Sequence, residues 1–126
     1  MPALYVRHKP EFIGNRLLLS EHDLHLQVAE YLDLTGLIYH HSPNEGKRRP
    51  QYTKMLLRKG MRKGWPDIQI LHRGRSVFIE LKTKKGRLST AQKKCHSDLI
   101  LAGAIVKVCR SLEDVIQFVG MTCGRN

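Results

Sequence analysis

Cysteines are scarce in this sequence. The three thiols, Cys95, Cys109 and Cys123, are odd in number, and no two of them have the spacing of a CxxC pair. Structural zinc sites and disulfide frameworks use more cysteines or closer spacings. We therefore expect three reduced cysteines that contribute to packing.

Long apolar runs are also missing. No stretch approaches the roughly 20 apolar residues that a membrane span needs. The first residues lack the apolar core and cleavage site of a signal peptide. There is no internal repeat or low-complexity segment. The sequence thus predicts a cytoplasmic protein with no membrane partner.

Acidic residues are few in comparison with basic ones. Lys and Arg number 22 against 11 for Asp and Glu, which gives a net charge of +11. Such a chain is attracted to polyanions, and nucleic acid is the first candidate. Charge alone fits a ribosomal or chromatin protein as well as an enzyme. The length of 126 residues suits a single domain, residues 1–126, with a core that needs no disulfides.

Two short runs, residues 67–70 and 77–82, alternate between apolar and polar side chains and predict neighbouring β-strands. A four-residue turn containing Gly74, which tolerates positive φ, would pair Ile68 with Ile79. In this register the aliphatic side chains share one face of the hairpin. Three polar side chains meet on the other face: Asp67, Glu80 and Lys82.

This polar trio has the chemistry of a hydrolytic metal site. Facing carboxylates are hard oxygen ligands of the kind that Mg²⁺ or Mn²⁺ accepts. The ammonium of Lys82 could orient or deprotonate an attacking water, or stabilise charge on a phosphate, and the sequence does not choose among these roles. The alternative is an exposed ion pair between Glu80 and Lys82. The pattern predicts hydrolysis of phosphodiesters with Asp67 and Glu80 as metal ligands.

Three ordered motifs connect the trio to a known family. Residues 64–67 read Gly-x-Pro-Asp, residues 78–82 end in Glu-Leu-Lys, and residues 86–92 read Gly-x-Leu-Ser-x-x-Gln. Together they resemble the PD-(D/E)XK nuclease superfamily and, within it, the VRR-NUC (virus-type replication-repair nuclease) group, over roughly residues 20–119. The resemblance implies an α/β fold with a restriction-endonuclease-like PD-(D/E)XK core, in which helices flank a mixed central sheet.

The resemblance also implies an activity. It implies a divalent metal held by Asp67 and Glu80, Lys82 in catalysis, and branched DNA of replication and repair, such as a four-way junction or a flap, as the substrate. Small members of the group suggest a homodimeric Holliday junction resolvase, in a bacterial or phage-infected host cell. A flap- or restriction-like nuclease is the alternative among enzymes, and a non-catalytic DNA-binding module is the alternative of another class.

A first helix is predicted from residue 20 to about residue 34, with Glu21 in its first turn. The resemblance implies that an acidic residue here completes the metal site. Glu21 fits that pattern, whereas Glu30 lies on the opposite helical face. Stabilisation of the helix start is the competing role for Glu21. His25, one turn after Glu21, stands where the family more commonly carries Gln, and we assign it no role.

Gln92 also has two interpretations. Ser89-x-x-Gln92 is typical of a capping box, in which the Gln side chain binds the backbone of the capping residue. The resemblance implies instead that Gln92 contributes to the catalytic site and that Lys93 reaches a phosphate from the helix start.

The remaining pattern predicts a short strand, a short helix, and a strand parallel to residues 77–83 after the third helix. Residues 1–19 could be an arm, and residues 121–126 are expected to fray. The further elements, in chain order, are a strand at 37–40, a helix at 52–59, a helix at 89–102, a strand at 104–109 and a helix at 111–119.

Basic residues form two groups that we expect to contact the DNA backbone without reading base sequence. Tyr52 and Trp65 could stack on DNA, and Trp65 could equally lie in the core. The adjacent His40 and His41 point to opposite faces of a strand and are not expected to form a metal pair. The predicted DNA-binding residues are Lys47, Arg48, Arg49, Lys54, Arg58, Lys63, Lys84, Lys85, Arg87 and Lys93.

Overall fold

The computed structural model describes residues 11–13, 16–18, 20–43 and 48–124. Its elements in chain order are β1 (Glu11–Ile13), β2 (Arg16–Leu18), α1 (Glu21–Thr35), β3 (Ile38–His41), α2 (Pro50–Arg58), β4 (Ile68–His72), β5 (Arg75–Leu81), α3 (Thr90–Leu101), β6 (Ile105–Cys109) and α4 (Leu112–Cys123).

The strands form two sheets. β1 and β2 pair with each other in the segment considered as an arm. The other four form a mixed sheet in the order β3-β4-β5-β6, in which β3, β4 and β5 are antiparallel neighbours and β6 runs parallel to β5. The predicted α/β architecture, with a mixed central sheet and helices, is confirmed.

The hairpin of β4 and β5 has the predicted register. Ile68 pairs with Ile79 and Ile70 pairs with Val77. The turn is shorter than predicted, because the residues flanking it also pair and only Arg73 and Gly74 form the loop. Both have positive φ, 51° and 79°, as a tight hairpin turn with two central residues requires.

Helices cover both faces of the four-stranded sheet. The odd-numbered residues of β5 from Val77 to Leu81 pack with α1 and α4 in one apolar core. The even-numbered Phe78 and Glu80 are buried on the other face, where Glu80 contacts α3. The end of β5 is therefore enclosed from two sides, and this enclosure positions the candidate site.

The boundaries of α1 agree with the capping residues in the sequence. Ser20 caps α1 by accepting a hydrogen bond from the Asp23 N–H, and α1 ends at Gly36, whose φ is 75°. The structure corrects the last helix, because α4 continues to Cys123 and does not fray after residue 120. The Cys123 side chain is buried in the core, so tertiary packing keeps the last turn helical. No helix in residues 20–43 or 48–124 is long and apolar enough to cross a membrane.

All three cysteines are buried free thiols, as expected from their number. Burial raises the pKa of Cys109 to about 12 and also raises the pKa of Cys95. A thiol with a raised pKa forms little thiolate at neutral pH and reacts slowly. These residues therefore serve packing.

Candidate active site

Asp67 and Glu80 lie at the same end of neighbouring strands, where β4 begins and β5 ends. The Oδ2 atom of Asp67 accepts a 2.7 Å hydrogen bond from the backbone N–H of Leu81, so the aspartate is fixed against the strand that carries Glu80. Asp67 is 9% exposed and Glu80 is 2% exposed. The structure thus brings together the two carboxyl groups that the hairpin register predicted.

The surroundings of Glu80 favour its protonated form. Burial, together with the hydrogen bond and negative charge of Asp67, raises the pKa of Glu80 to about 9, and Lys82 acts in the opposite direction. Two carboxylates in a poorly solvated site repel each other, so one retains a proton unless a cation balances the charge. The pair therefore has the electrostatics of a cation site.

Helix α3 holds Glu80 through Gln92. The Nε2 of Gln92 donates to Glu80 Oε2 at 3.3 Å, while its Oε1 accepts a hydrogen bond from the Ser89 N–H at 2.9 Å. The Ser89 hydroxyl in turn accepts from the Gln92 N–H, which completes a capping box. The capping box is therefore present, and the other end of the same amide contacts Glu80; a catalytic role of Gln92 stays a prediction.

His96 is a second contact from α3 to Glu80, one that was not predicted from the sequence. Its Nε2 lies 3.1 Å from Glu80 Oε1. Burial lowers the pKa of His96, so a neutral ring faces the carboxyl group. The signal was present in the sequence, because His96 follows Gln92 by four residues and such residues are neighbours on one helical face.

Lys82 comes directly after β5 and is half-buried. Its backbone N–H donates to the Cys109 carbonyl at 3.1 Å. Its stem passes close to Gly86, where an added Cβ would lie 3.4 Å from the Lys82 Cδ. The Lys82 charge lowers the pKa of Glu80, so the ammonium acts electrostatically on Glu80, and its role in catalysis stays a prediction.

Arg110 organises the loop that follows Lys82. Its Nη1 donates to the carbonyl oxygens of Thr83 and Gly86 at 2.7 and 2.6 Å. Its own N–H donates to Asp114 Oδ2 at 2.9 Å. The basic loop is thus tied to the start of α4. No sequence motif marks an arginine that binds carbonyl oxygens, so this residue was missed.

Two histidines approach Asp67 from the side of α1. His25 Nε2 lies 3.9 Å from Asp67 Oδ2, and the His25 and His41 ring centroids are 5.0 Å apart. One ligand atom from each of these three residues lies within 4.8 Å of the other two. His40, by contrast, is exposed. The adjacent histidines do not form a pair, as expected, but the approach of His41 alone to Asp67 was missed.

The residues at this end of the sheet fit a divalent cation. Asp67 and Glu80 supply carboxyl oxygens whose mutual repulsion a cation would relieve. His25 Nε2 is buried and has no hydrogen-bond partner among the described residues, and such a nitrogen gains by binding an ion. Carboxylates and imidazoles are common ligands of divalent metals.

A cleft of about 230 Å³ opens beside Asp67. Trp65, which lines it, also packs edge to face against Phe78 with ring centroids 5.4 Å apart, so Trp65 serves both the core and the cleft. The residues lining the cleft are Arg48, Thr53, Met61, Arg62, Lys63, Gly64, Trp65, Asp67, Ser89 and Gln92.

Gly64 brings the cleft wall and α3 together. Its φ is +79°, and a Cβ built on it would lie 2.3 Å from the Ala91 carbonyl oxygen. Only glycine combines this backbone conformation with so close an approach. The Gly-x-Pro-Asp motif therefore fixes the segment before Asp67 against the start of the helix that carries Gln92.

The predicted DNA-binding residues divide into those at the cleft and those beside it. Arg48 and Lys63 line the cleft, and the Arg48 guanidinium is held by the Pro43 carbonyl at 3.0 Å. Lys47 lies outside the described residues. The others are exposed on or before α2, in the loop before α3, and on α3: Arg49, Lys54, Arg58, Lys84, Lys85, Arg87 and Lys93.

Glu21 is the first residue of α1 and is exposed. Its charge contributes to the raised pKa of Glu80, so it acts electrostatically on the carboxyl pair. Its role as a metal ligand stays a prediction.

Comparisons with known proteins agree with this geometry. The family model described as VRR-NUC domain matches residues 25–113, a range that includes Asp67, Glu80, Lys82 and Gln92 but begins after Glu21. A solved "VRR_NUC domain protein" is 22% identical with a TM-score of 0.67, over 82% of this chain and 87% of that one. A second, a "VRR_NUC domain", is 20% identical with a TM-score of 0.58, over 81% and 96%.

No curated protein matches the chain. The family model, however, covers well over half of its length and includes both carboxyl groups, the lysine and the glutamine that meet at the end of the sheet. The chain therefore belongs to the VRR-NUC family and is a nuclease whose substrate is DNA.

Proposed function

We propose that this nuclease is a structure-specific endonuclease that uses Mg²⁺ or Mn²⁺ held by Asp67, Glu80 and Glu21. The observation that carries the proposal is the buried pair of carboxyl groups with Lys82 beside it. The preferred substrate would be a branched intermediate of replication or repair, cut in the cytoplasm of a bacterial or phage-infected cell. A non-catalytic DNA-binding module has no need of this charged, buried set.

Different residues of the chain would bind the DNA, hold the cation and act on the attacking water or the phosphate. Lys63 and Arg48 in the cleft attract the phosphate backbone. Glu80 would serve as a cation ligand in its ionised form, and Gln92 and His96 keep its oxygens in place. A bound divalent cation supplies Lewis acidity and balances charge on the phosphate. Lys82 then orients or deprotonates the attacking water, or stabilises the charge that develops on the phosphate.

The first experiment tests the carboxyl pair. Asp67→Asn and Glu80→Gln should reduce cleavage of labelled DNA in Mg²⁺ by about a thousandfold or more, because the metal contributes several kcal/mol to transition-state stabilisation. Binding to DNA, measured by gel shift, should change little, because basic residues supply the affinity. Lys82→Met should be nearly inactive as well.

Glu113→Gln is the matched control, since Glu113 is an exposed carboxylate in the first turn of α4. It should cut like the wild type. Substantial turnover in both Asp67→Asn and Glu80→Gln would overturn the assigned site.

The second experiment tests metal dependence and substrate. EDTA should stop cleavage, and Ca²⁺ should support binding without cutting, because Ca²⁺ prefers more ligands and longer bonds. Linear duplex, flap and four-way junction should be compared under the same conditions. Faster cutting of four-way junctions supports a resolvase, whereas faster cutting of flaps favours the flap nuclease that is the alternative.

A further inference from the structure

We infer that His25, His41 and Asp67 form a second cation position, on the α1 side of Asp67, that takes a late first-row transition-metal ion and not Mg²⁺. The inference rests on the proposed function only in sharing Asp67 with the carboxyl pair. The ion would be of the class of Zn²⁺, Co²⁺ or Ni²⁺.

The position is built from three separate elements. His25 lies on α1, His41 ends β3, and Asp67 immediately precedes β4. The Ser42 N–H donates to the Asp67 carbonyl at 2.8 Å, which brings the end of β3 to the aspartate. The convergence is therefore a product of strand pairing and helix packing.

The distances fit a single ion after a small contraction. Ligand atoms of the three residues lie within 4.8 Å of one another, and His25 Nε2 is 3.9 Å from Asp67 Oδ2. Two ligands of one ion at about 2.1 Å are at most about 4.2 Å apart. A closure of about half an ångström by the two histidine side chains satisfies this limit.

The side chain of His25 has an unused nitrogen atom that could bind a metal ion. Its side chain is 14% exposed, and its Nε2 is a fully buried atom with no hydrogen-bond partner among the described residues. Leaving such a nitrogen unsatisfied costs free energy. A bound metal ion removes that cost, and the neighbouring Asp67 carboxylate offers the countercharge.

The ligand types set the choice of ion. Imidazole nitrogens bind Zn²⁺, Ni²⁺ and related ions well, whereas Mg²⁺ prefers carboxylate, carbonyl and water oxygens. The Glu80 side of Asp67 is different, because Glu80 adds a second carboxyl group there and the imidazole on that side, His96, is already engaged with Glu80 Oε1 at 3.1 Å. Asp67 thus separates a position rich in oxygen from one that contains two imidazoles.

The test uses Co²⁺, whose visible absorption reports nitrogen and oxygen ligands independently of cleavage. Wild-type protein should bind Co²⁺ with a visible band, Zn²⁺ should displace it, and millimolar Mg²⁺ should not. His25→Gln and His41→Gln should each weaken Co²⁺ binding by at least about tenfold in calorimetry. His40→Gln, the exposed neighbour on β3, is the control and should bind as the wild type does.

Other outcomes separate this inference from the proposed function. Equal Co²⁺ binding by the wild type and both histidine variants, or no binding by the wild type, would overturn the imidazole position. Mg²⁺-dependent cleavage that is lost in Glu80→Gln would still support the nuclease site in either case. If His25→Gln fails to fold by circular dichroism, His41→Gln decides the question alone.

Discussion

At the scale of single residues, Glu80 gives the clearest pH dependence. Its folded-state pKa is raised to about 9 by burial and by Asp67, so the folded chain holds a proton that the unfolded chain releases. The stabilisation is complete below the unfolded-state pKa and is lost as the pH rises through 9. Linkage then predicts that the free energy of unfolding decreases by of order 1 kcal/mol per pH unit between the ordinary pKa of 4.5 and the raised pKa of about 9.

Urea unfolding in EDTA at pH 6, 7.5 and 9 measures this dependence. Glu80→Gln, which cannot ionise, should remove this part of the pH dependence. Identical pH profiles for the two proteins would contradict a raised pKa of Glu80.

Glu21 is the residue whose two interpretations still need an experiment. If Glu21 is a metal ligand, Glu21→Gln should weaken activation by Mg²⁺ and reduce cleavage at least tenfold. If it only stabilises the start of α1, the variant should lose about 0.5 kcal/mol of stability and cut normally. Cleavage at several Mg²⁺ concentrations distinguishes these outcomes, with Glu30→Gln, from the opposite helical face, as the control expected to be active.

The sequence predicted the residues that lie in one hairpin and missed those that arrive from other elements. Asp67 and Glu80 were found because alternation over β4 and β5 allows one register with the aliphatic side chains buried. His41 was missed because its place depends on pairing of β3 with β4, which no local pattern specifies. His25 could be placed one turn from Glu21, but not opposite Asp67.

At the scale of elements, the start of α3 links helix capping to the catalytic carboxyl group. Ser89→Ala removes the cap hydroxyl but leaves the contact of Gln92 with Glu80, so it should lower the free energy of unfolding by about 1 kcal/mol and preserve cleavage. Gln92→Glu keeps an oxygen that can accept from the Ser89 N–H but loses the donor to Glu80. That variant should keep most of its stability and cut about 10- to 100-fold more slowly.

Thermal unfolding and single-turnover cleavage, measured on the same preparations, separate the two effects. Normal cleavage by Gln92→Glu with loss of cleavage in Ser89→Ala would mean that Gln92 acts only as a cap residue.

The ends of elements show where local signals fail. α1 begins and ends at the predicted positions because Ser20 and Gly36 carry strong capping signals. α4 passes through Gly120, a poor helix former, and continues to Cys123. Arg75 donates to the Thr122 carbonyl at 2.8 Å, so the hairpin binds the last turn of α4. This contact joins residues far apart in the sequence and could not be predicted from the pattern around residue 120.

At the scale of the whole molecule, the predicted homodimer rests on substrate symmetry. A four-way junction is resolved by nicks on two strands, and a pair of chains related by a two-fold axis would supply two cutting centres. We therefore expect a dimer in light scattering and paired nicks near the branch point. A monomer at micromolar concentration that cuts flaps but not junctions would remove the resolvase proposal and leave the nuclease in place.

The structure gives a place to begin mapping such a dimer. Ile38 and Leu71 are cross-strand partners on β3 and β4, and they are 71% and 52% exposed. Ile38→Lys should lower the dimer fraction if this surface forms the contact. Leu101→Lys, at a still more exposed apolar position at the end of α3, serves as the control.

The position of Trp65 makes the protein its own optical probe. It is the single tryptophan of the chain, it lines the cleft beside Asp67, and its ring contacts Phe78. Indole emission should therefore change in intensity and wavelength when DNA enters the cleft. Stopped-flow fluorescence could then time substrate arrival and departure in unlabelled protein, on either side of the chemical step.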